Sequence, residues 1–578
     1  MSDAHNRVAD PVALSYAEAP IVIDDAEHYS WDEAADVIVV GYGGAGVSAA
    51  LEARARGAQV LALDRFDGGG ATTLSGGVVY AGGTRYQKQA GLEDNPDIMF
   101  RYLKMEIGDV VRDETLRRFC ETSDENMQWL ENHGVEFGSS VYTGKSIYPP
   151  AGYDIYFSGN EKVTSSAKVV PSFPRGHRVV GDKYTGHVFF NKLKESAARL
   201  GVEFRSHCRV TRLVVTGQNE VVGVEIATID PASADYAEHQ KMIKRFNTYQ
   251  RFFASTTRKA SQQIAAFEQR VSKKILVRAR NGVIISTGSF AFNREMIKSY
   301  APKYEDTVPL GTLGCDGSGI ALGYSVGGDL GKMDSVTAWR SISPPYCFVK
   351  GMVVNRMGKR FVTEDAYVGR LGHELAQQPG CQAWLIIDKE IYREAFRSAI
   401  TTKGIPIFEY SGPLHQLHNL IRCTRKASSI EALAKKCGID PGGLAAAVQR
   451  YNDDVIKGED SELGKGKDYL RQLKDGPYYA LDISVGNRRN PLPAIPMGGL
   501  MVDEDTGHVL DREGNSIRGL YAAGRAAVGI PSGFYVSGSA LADCVFSGRR
   551  AAAHAVSGVT ASANAESGAS EQSTGIAR

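Results

Sequence analysis

Between residues 36 and 64 the chain reads strand, glycine turn, helix, strand, and this unit restricts what it can fold into. Asp36-Val-Ile-Val-Val40 is apolar on both faces, as a buried parallel strand must be. It runs into Gly41-Tyr-Gly43-Gly44-Ala45-Gly46, a GxGxxG pattern, and then into an Ala-rich stretch reaching about Arg56. A second apolar run, Gln59–Leu63, ends at Asp64, 18 residues after Gly46. Such a βαβ unit calls for a parallel sheet with helices on its faces. The glycines allow a tight turn and close approach of a pyrophosphate to the helix N-terminus, and the acid suits a ribose. A bare strand–turn–helix without a ligand is the bland alternative, and the placed acid weighs against it.

Two later segments repeat the strand-into-glycine-turn pattern: Ile284-Ile-Ser-Thr287-Gly288 and Tyr521-Ala-Ala-Gly524-Arg525. They lie about 240 and about 480 residues after the first motif, a spread that a lone NAD unit does not need. The longer cofactor FAD does use distant pieces of this kind. Helical patterns fill residues 96–133, Val221–Glu225 reads as a strand, and residues 330–495 read as a separate α+β region. With 578 residues the chain has room for two or three domains.

The glycine-rich run from Gly68 through Gly70, Ala71, Thr72 and Ser75 to Gly76 and Gly77 resembles the flavin-contacting loop of the fumarate reductase/succinate dehydrogenase flavoprotein superfamily. So do Gly314-Cys-Asp316-Gly-Ser-Gly319 ahead of a helix and Gly358-Lys-Arg-Phe361 ahead of Glu364. The similarity spans roughly residues 33–556. It implies an α/β fold: a glutathione-reductase-like Rossmann FAD-binding domain with an inserted α+β substrate (capping) domain. The expected division is a leader at 1–32, the FAD domain at 33–329 and 496–556, the capping domain at 330–495, and a disordered tail at 557–578. The cofactor-binding residues implied are Gly41, Gly43, Gly44, Ala45, Gly46, Asp64, Arg65, Gly70, Ala71, Thr72, Ser75, Gly76, Gly77, Val210, Thr287, Gly288, Asp316, Gly524, Arg525, Ser539 and Leu541. The glycine loop holds no histidine or cysteine for a covalent link, so FAD is expected to be non-covalent.

Fumarate reductases grip two carboxylates with histidines and arginines. Here Pro493-Ala-Ile-Pro-Met497-Gly-Gly499 carries no histidine before its glycines, and the last helix is entered by Ser532-Gly-Phe-Tyr535-Val-Ser537-Gly538. An aromatic, hydroxyl-bearing site suits a neutral, apolar substrate. In these features the chain is similar to the 3-ketosteroid dehydrogenases. Glu364-Asp-Ala-Tyr367 resembles the segment carrying their active-site tyrosine, and Tyr535-Val-Ser537-Gly538 follows the Tyr-x-Ser-Gly pattern of the Δ4-(5α) group rather than that of the Δ1 group. The resemblance implies Tyr535 as base, with Ser537 and Tyr367 as its proton relay. A tyrosine with the ordinary pKa of about 10 is a poor base at neutral pH, so the site must favour its ionised form. A Δ1-dehydrogenase and an ene reductase running the chemistry backwards are the alternatives, and the electron acceptor is a quinone or a carrier. Taken without the resemblance, a buried tyrosine is more often a core residue, and Ser537 is a plausible helix N-cap.

Residues 233–274 carry nine Lys/Arg against three acids, and Met242, Phe246, Tyr249 and Phe253 recur on one helical face. Two readings stay open for this basic helical insertion (231–275): peripheral contact with an anionic membrane, or a hairpin packed on the body. With 67 basic and 66 acidic residues there is no global field to draw in nucleic acid. The eight cysteines form no CxxC pair, which points to a reducing, cytoplasmic setting, with the inner membrane face as a possible site of contact. Met1–Ser30 lacks a signal-peptide pattern and no run is apolar enough to span a membrane. His415 and His418, three apart, read as a solvated helical face, and no metal site is expected.

Overall fold

The sheet that carries the glycine motifs is built from nine strands: β1 (Ile21–Ile23), β2 (Glu33–Val40), β3 (Val60–Leu63), β4 (Glu203–Arg205), β5 (Cys208–Thr216), β6 (Val221–Thr228), β7 (Lys273–Ile285), β8 (His508–Leu510) and β9 (Ser516–Ala522). Their arrangement is seen in a computed structural model that describes residues 17–249, 254–401 and 412–572, without side chains at 249, 254–258 and 558–572. Neighbours run β1-β5-β6-β7-β2-β3-β4, with β9 bonded to β7 and β8.

β7 joins two kinds of sheet, and its composition says why. Its first half alternates in burial, with Val277 and Ala279 buried and Leu276, Arg278 and Arg280 less so, and pairs antiparallel with β6 over Lys273–Arg278. Its second half, Gly282–Ile285, is buried at every position and lies between two parallel partners, β2 and β9. Alternation fits a half-covered antiparallel ladder, and a continuous apolar run fits a parallel sheet covered on both faces. The register with β2 shifts between Ala279 and Gly282, where the strand changes role. β2 and β3 pair parallel from Val37–Val60 to Val40–Leu63, with α1 (Gly44–Ala55) crossing between them. Val37, Ile38 and Val39 are fully buried, each contributing about 1.5–3 kcal/mol.

A second hydrophobic core gathers residues from Ala301 to Ala494. Its sheet orders Met352–Asn355, Ala383–Ile387, Tyr478–Asp482 and Thr424–Ala427, all antiparallel. At its edge a buried charge cluster fixes the turn leading to Tyr367. Arg360 donates to Glu364 (2.9 Å) and to Asp460 (2.8 Å), and Lys465 Nζ lies 2.9 Å from Glu364. All four side chains are fully buried, and Glu364 also accepts from the Val353 N–H at 2.8 Å. Taken together these observations establish a mixed α/β fold.

Two sequence expectations change, and one of the two readings open for the insertion gains support. The leader is not structureless throughout. Ile21-Val-Ile23 forms β1, which pairs parallel with Val214–Thr216, and the Glu18 carboxylate meets Arg212 and Lys274; a β-branched triplet needs only an open sheet edge to become a strand. Residues 1–16 lie outside the described ones. At the other end the last helix, Ser539–Gln572, runs on past Ser557 in a segment rich in alanine and free of proline; residues 573–578 lie outside the described ones. Finally, the insertion is a helical hairpin, α2 (Ala234–Tyr249) and α3 (Ala254–Val271), whose Phe246 and Ile264 are buried against Leu313, with Met242, Phe66 and Phe292 alongside. The aromatic face thus covers the body as far as it is described; Phe253 and the Tyr249 side chain lie outside the described part.

Removing one partner of the charge cluster leaves the others buried and unpaired. Arg360→Ala is expected to lower stability by about 3–5 kcal/mol in denaturant unfolding; a loss below about 1 kcal/mol would contradict this role for the cluster.

Candidate active site

α1 begins where the backbone folds back on itself. A Cβ on Gly46 would stand 2.0 Å from the Gly41 carbonyl oxygen, and one on Gly41 would stand 2.7 Å from Thr287 Cα. Gly41 also has φ +96°, which a side chain would resist. The turn after β2 therefore lies flush on the turn after β7. The Gly44 N–H donates to Thr72 Oγ1 (3.0 Å), which brings in the Gly70–Leu74 turn of the glycine loop. Ser75 Oγ donates to the Thr72 carbonyl at 2.7 Å and accepts from Gly77 N–H, and Gly76 O accepts from Tyr148 and Thr185. From the far end of the chain, a Cβ on Gly524 would meet Ala45 Cβ at 2.8 Å, and one on Gly288 would stand 3.7 Å from the Arg525 guanidinium. Four glycine-bearing segments, separated by up to about 480 residues, thus meet at one helix N-terminus.

That end of α1 suits a pyrophosphate: its N-cap Gly43 has no side chain and its first turn holds no acid. Thr287 Oγ1 is buried there without a hydrogen-bond partner among the described residues. Asp64 accepts from the Tyr42 and Phe66 N–H groups, both at 2.8 Å, so it braces the glycine turn as well as facing the cleft. Arg65 and Asp316 are placed differently. They pair with each other at 2.8 Å, Asp316 caps α4 (Ser318–Ser325) through Ser318 N–H, and Arg65 also holds Glu268 of the hairpin. Burial acts to raise the Glu268 carboxyl, but Arg65 and His239 hold it down to about 2. These two charges are engaged within the protein. Val210 sits on β5, whose first residue Cys208 donates to the Asp64 carbonyl. Ser539 Oγ donates to the Val536 carbonyl at the start of α6 (Ser539–Gln572), and Leu541 is buried one turn in.

The candidate reacting groups Tyr535 and Tyr367 stand around Ser537. Its hydroxyl lies within reach of three phenols, Tyr156, Tyr367 and Tyr535, and can donate its single proton to any one of them, favouring the ionised form of that one. The N-cap alternative for Ser537 does not hold, because α6 starts at Ser539 and Ser537 is turned to the tyrosines. Tyr367 precedes α5 (Val368–Ala376); its N–H donates to Asn160 Oδ1 (2.8 Å) and its ring lies on Gly369, beside the Tyr535 carbonyl. Burial raises the Tyr535 phenol, while the Gly538 N–H, the charge of Arg525 and Ser537 pull it down. Burial, and then the neighbouring phenols, push Tyr367 well above the ordinary tyrosine range.

Two residues escaped the sequence reading. Tyr156, 1% exposed, ends the strand Ile155–Tyr156 and is the third phenol at Ser537. Trp339 packs its ring 6.1 Å from that of Tyr535, and its indole N–H is buried without a partner among the described residues. Neither lies in a glycine motif, so only their distant strand pairings bring them in.

Residues 36–541 match the family described as FAD binding domain. The chain is 36% identical over 518 residues to a 3-oxo-5-alpha-steroid 4-dehydrogenase of Comamonas testosteroni, covering 87% of this chain and 94% of that one. The chain belongs to the FAD-dependent 3-ketosteroid dehydrogenase family. That family lies within the fumarate reductase/succinate dehydrogenase flavoprotein superfamily, and its members are oxidoreductases with FAD as cofactor. A crystal structure of the 3-ketosteroid-Δ4-(5α)-dehydrogenase of Rhodococcus jostii RHA1, in complex with 4-androstene-3,17-dione, superposes with TM-score 0.77 at 31% identity, covering 93% of this chain and all of that one. A probable fumarate reductase of Shewanella frigidimarina is 27% identical over 538 residues, 91% of this chain and 76% of its own.

The Gly46–Gly41 contact leaves no room for a side chain. Gly46→Leu is expected to yield protein that loses bound FAD on gel filtration, with affinity reduced at least about tenfold (~1.4 kcal/mol). Retention of a full complement of flavin would contradict the assignment of this turn.

Proposed function

We propose that this protein desaturates the C4–C5 bond of a 5α-saturated 3-ketosteroid. The observation that carries the reading is the cluster of three buried phenols around Ser537, with Trp339 beside it: apolar, aromatic and hydroxyl-bearing, with no histidine at the Met497-Gly-Gly turn. The named activities of the Comamonas and Rhodococcus relatives agree with it. FAD, when bound, supplies the acceptor for the hydride.

The chain's own residues do the rest. A ketone acidifies the C–H bonds beside it, and Tyr535 is the group to take that proton. Arg525 and the Gly538 N–H offset part of the cost of a phenolate in a buried site, which is what a tyrosine base near neutral pH requires. Ser537 can accept from one phenol while donating to another, so it passes the proton between Tyr535 and Tyr367 or Tyr156. The N-terminus of α6, two residues on, presents a positive dipole end to the negative charge that builds up.

The FAD-binding part is read as a glutathione-reductase-like Rossmann domain, interrupted by the α+β body around residues 330–495 as a cap that closes over the steroid. FAD attachment is non-covalent in this reading, and a quinone or a carrier protein takes the electrons in the cytoplasm. Among the described residues no helix is long and apolar enough to cross a membrane. Since Met242 and Phe246 face inward, we assign the hairpin to packing on the body.

Tyr535→Phe removes the base but keeps the ring. It is expected to retain FAD and to lower the rate of flavin reduction by a saturated 3-ketosteroid about 10²–10⁴-fold. A loss of less than about threefold, roughly 0.7 kcal/mol, would remove Tyr535 from the mechanism.

A further inference from the structure

One fully buried carboxyl beneath the phenol cluster has no part in the steps above. Glu161 is 1% exposed. Its Oε1 accepts from the Tyr80 hydroxyl at 3.0 Å and its Oε2 from the Gly159 N–H at 2.8 Å. Unlike Glu364 and Glu268, it is in no ion pair among the described residues. The nearby Arg175 is fully buried and spends its charge on Asp94, with two bonds of 2.7 Å.

The segment that carries Glu161 also holds the reacting groups. Ser158 Oγ donates to the Ser537 carbonyl (2.9 Å), and Asn160 Oδ1 accepts from the Tyr367 N–H (2.8 Å). Asn160 N–H donates to the Tyr102 hydroxyl, and its amide donates to Glu106, which Arg370 neutralises at 2.9 Å. The titratable and charged groups facing this pocket are therefore Tyr80, Tyr102, Glu106, Asp94, Arg175, Tyr156 and Tyr367. Burial raises the Glu161 carboxyl, and with Arg175, the backbone and Tyr80 only partly opposing, it is pushed up to about 7. A negative charge on Glu161 in turn raises both Tyr156 and Tyr367.

We propose that Glu161 is a positioning residue for proton abstraction: a buried carboxyl that, by holding or releasing its own proton, decides how readily the phenols around Ser537 ionise. With its proton on, Glu161 is neutral and the cluster can take one negative charge. With its proton off, a phenolate would be a second like charge in a poorly screened interior. Rising pH thus acts twice with opposite sign: it drives the phenols toward ionisation, and by charging Glu161 it holds them back. The proton taken from the substrate goes to Tyr535 oxygen in either case.

The inference rests on the steroid reading above, and one experiment separates the two. The rate of anaerobic flavin reduction by a saturated 3-ketosteroid is followed across the neutral and alkaline range for the FAD-bound wild type, Glu161→Gln and Glu161→Asp. Gln keeps the size and an acceptor for Tyr80 but cannot charge. Its alkaline rise in rate is expected about one pH unit lower than that of wild type, with Asp restoring the wild-type position. A Gln profile that matches wild type or moves to higher pH overturns the role of Glu161 and leaves the reaction standing. A wild type that no saturated 3-ketosteroid reduces overturns both. If Glu161→Gln fails to hold FAD, Tyr80→Phe serves. Loss of the Tyr80 hydrogen bond favours the protonated carboxyl, so the rise moves the same way by a smaller amount, and no movement overturns the proposal.

Discussion

Everything in this structure depends on how closely the first and last glycine segments pack around Ala45. A Cβ on Gly548 would stand 2.5 Å from the Ala45 carbonyl, and one on Gly524 would stand 2.8 Å from its Cβ. α1 and α6 can therefore lie backbone to backbone, though nearly 500 residues separate them in sequence. Because α6 is seated on α1, its N-terminal approach, Phe534 to Gly538, is carried to the same cleft as the pyrophosphate turn. The candidate cofactor site and the proposed proton site thus share one packing contact.

The proton site itself is held by polar anchors rather than by apolar packing alone. Tyr367 follows a turn pinned by Arg360, Glu364, Asp460 and Lys465, and its N–H is taken by Asn160. Ser537 is held by its carbonyl through Ser158, which leaves its hydroxyl to the phenols. Catalytic groups must be kept within a fraction of an ångström, and directional bonds do this better than methyl contacts. The cost is a set of buried ionisable groups, of which Glu161 is in no ion pair among the described residues.

The βαβ unit, the three glycine turns and the helices of residues 96–133 were legible in the sequence, because each shows its own period and each is local. The change of role within β7 was also written there, in alternation followed by a continuous apolar run. Tyr156 was not legible: it stands in a two-residue strand, placed near Ser537 by its pairings with Tyr142 and Gly176. The pairing of Arg65 with Asp316 and Glu268 was equally hidden, since it links residues about 200 and 250 apart by charge alone. β1 was missed because an edge strand of three residues has too little length to show a period.

The account stands on the claim that a neutral 3-ketosteroid is oxidised at C4–C5. The most direct measurement mixes the FAD-bound protein, without oxygen, with 5α-androstane-3,17-dione and separately with 4-androstene-3,17-dione, following flavin colour and identifying the steroid formed. The account predicts that the saturated ketone bleaches the flavin and becomes the 4-ene, while the 4-ene leaves the flavin oxidised. Bleaching by the 4-ene with formation of a 1,4-diene, or no bleaching by either steroid, would contradict it.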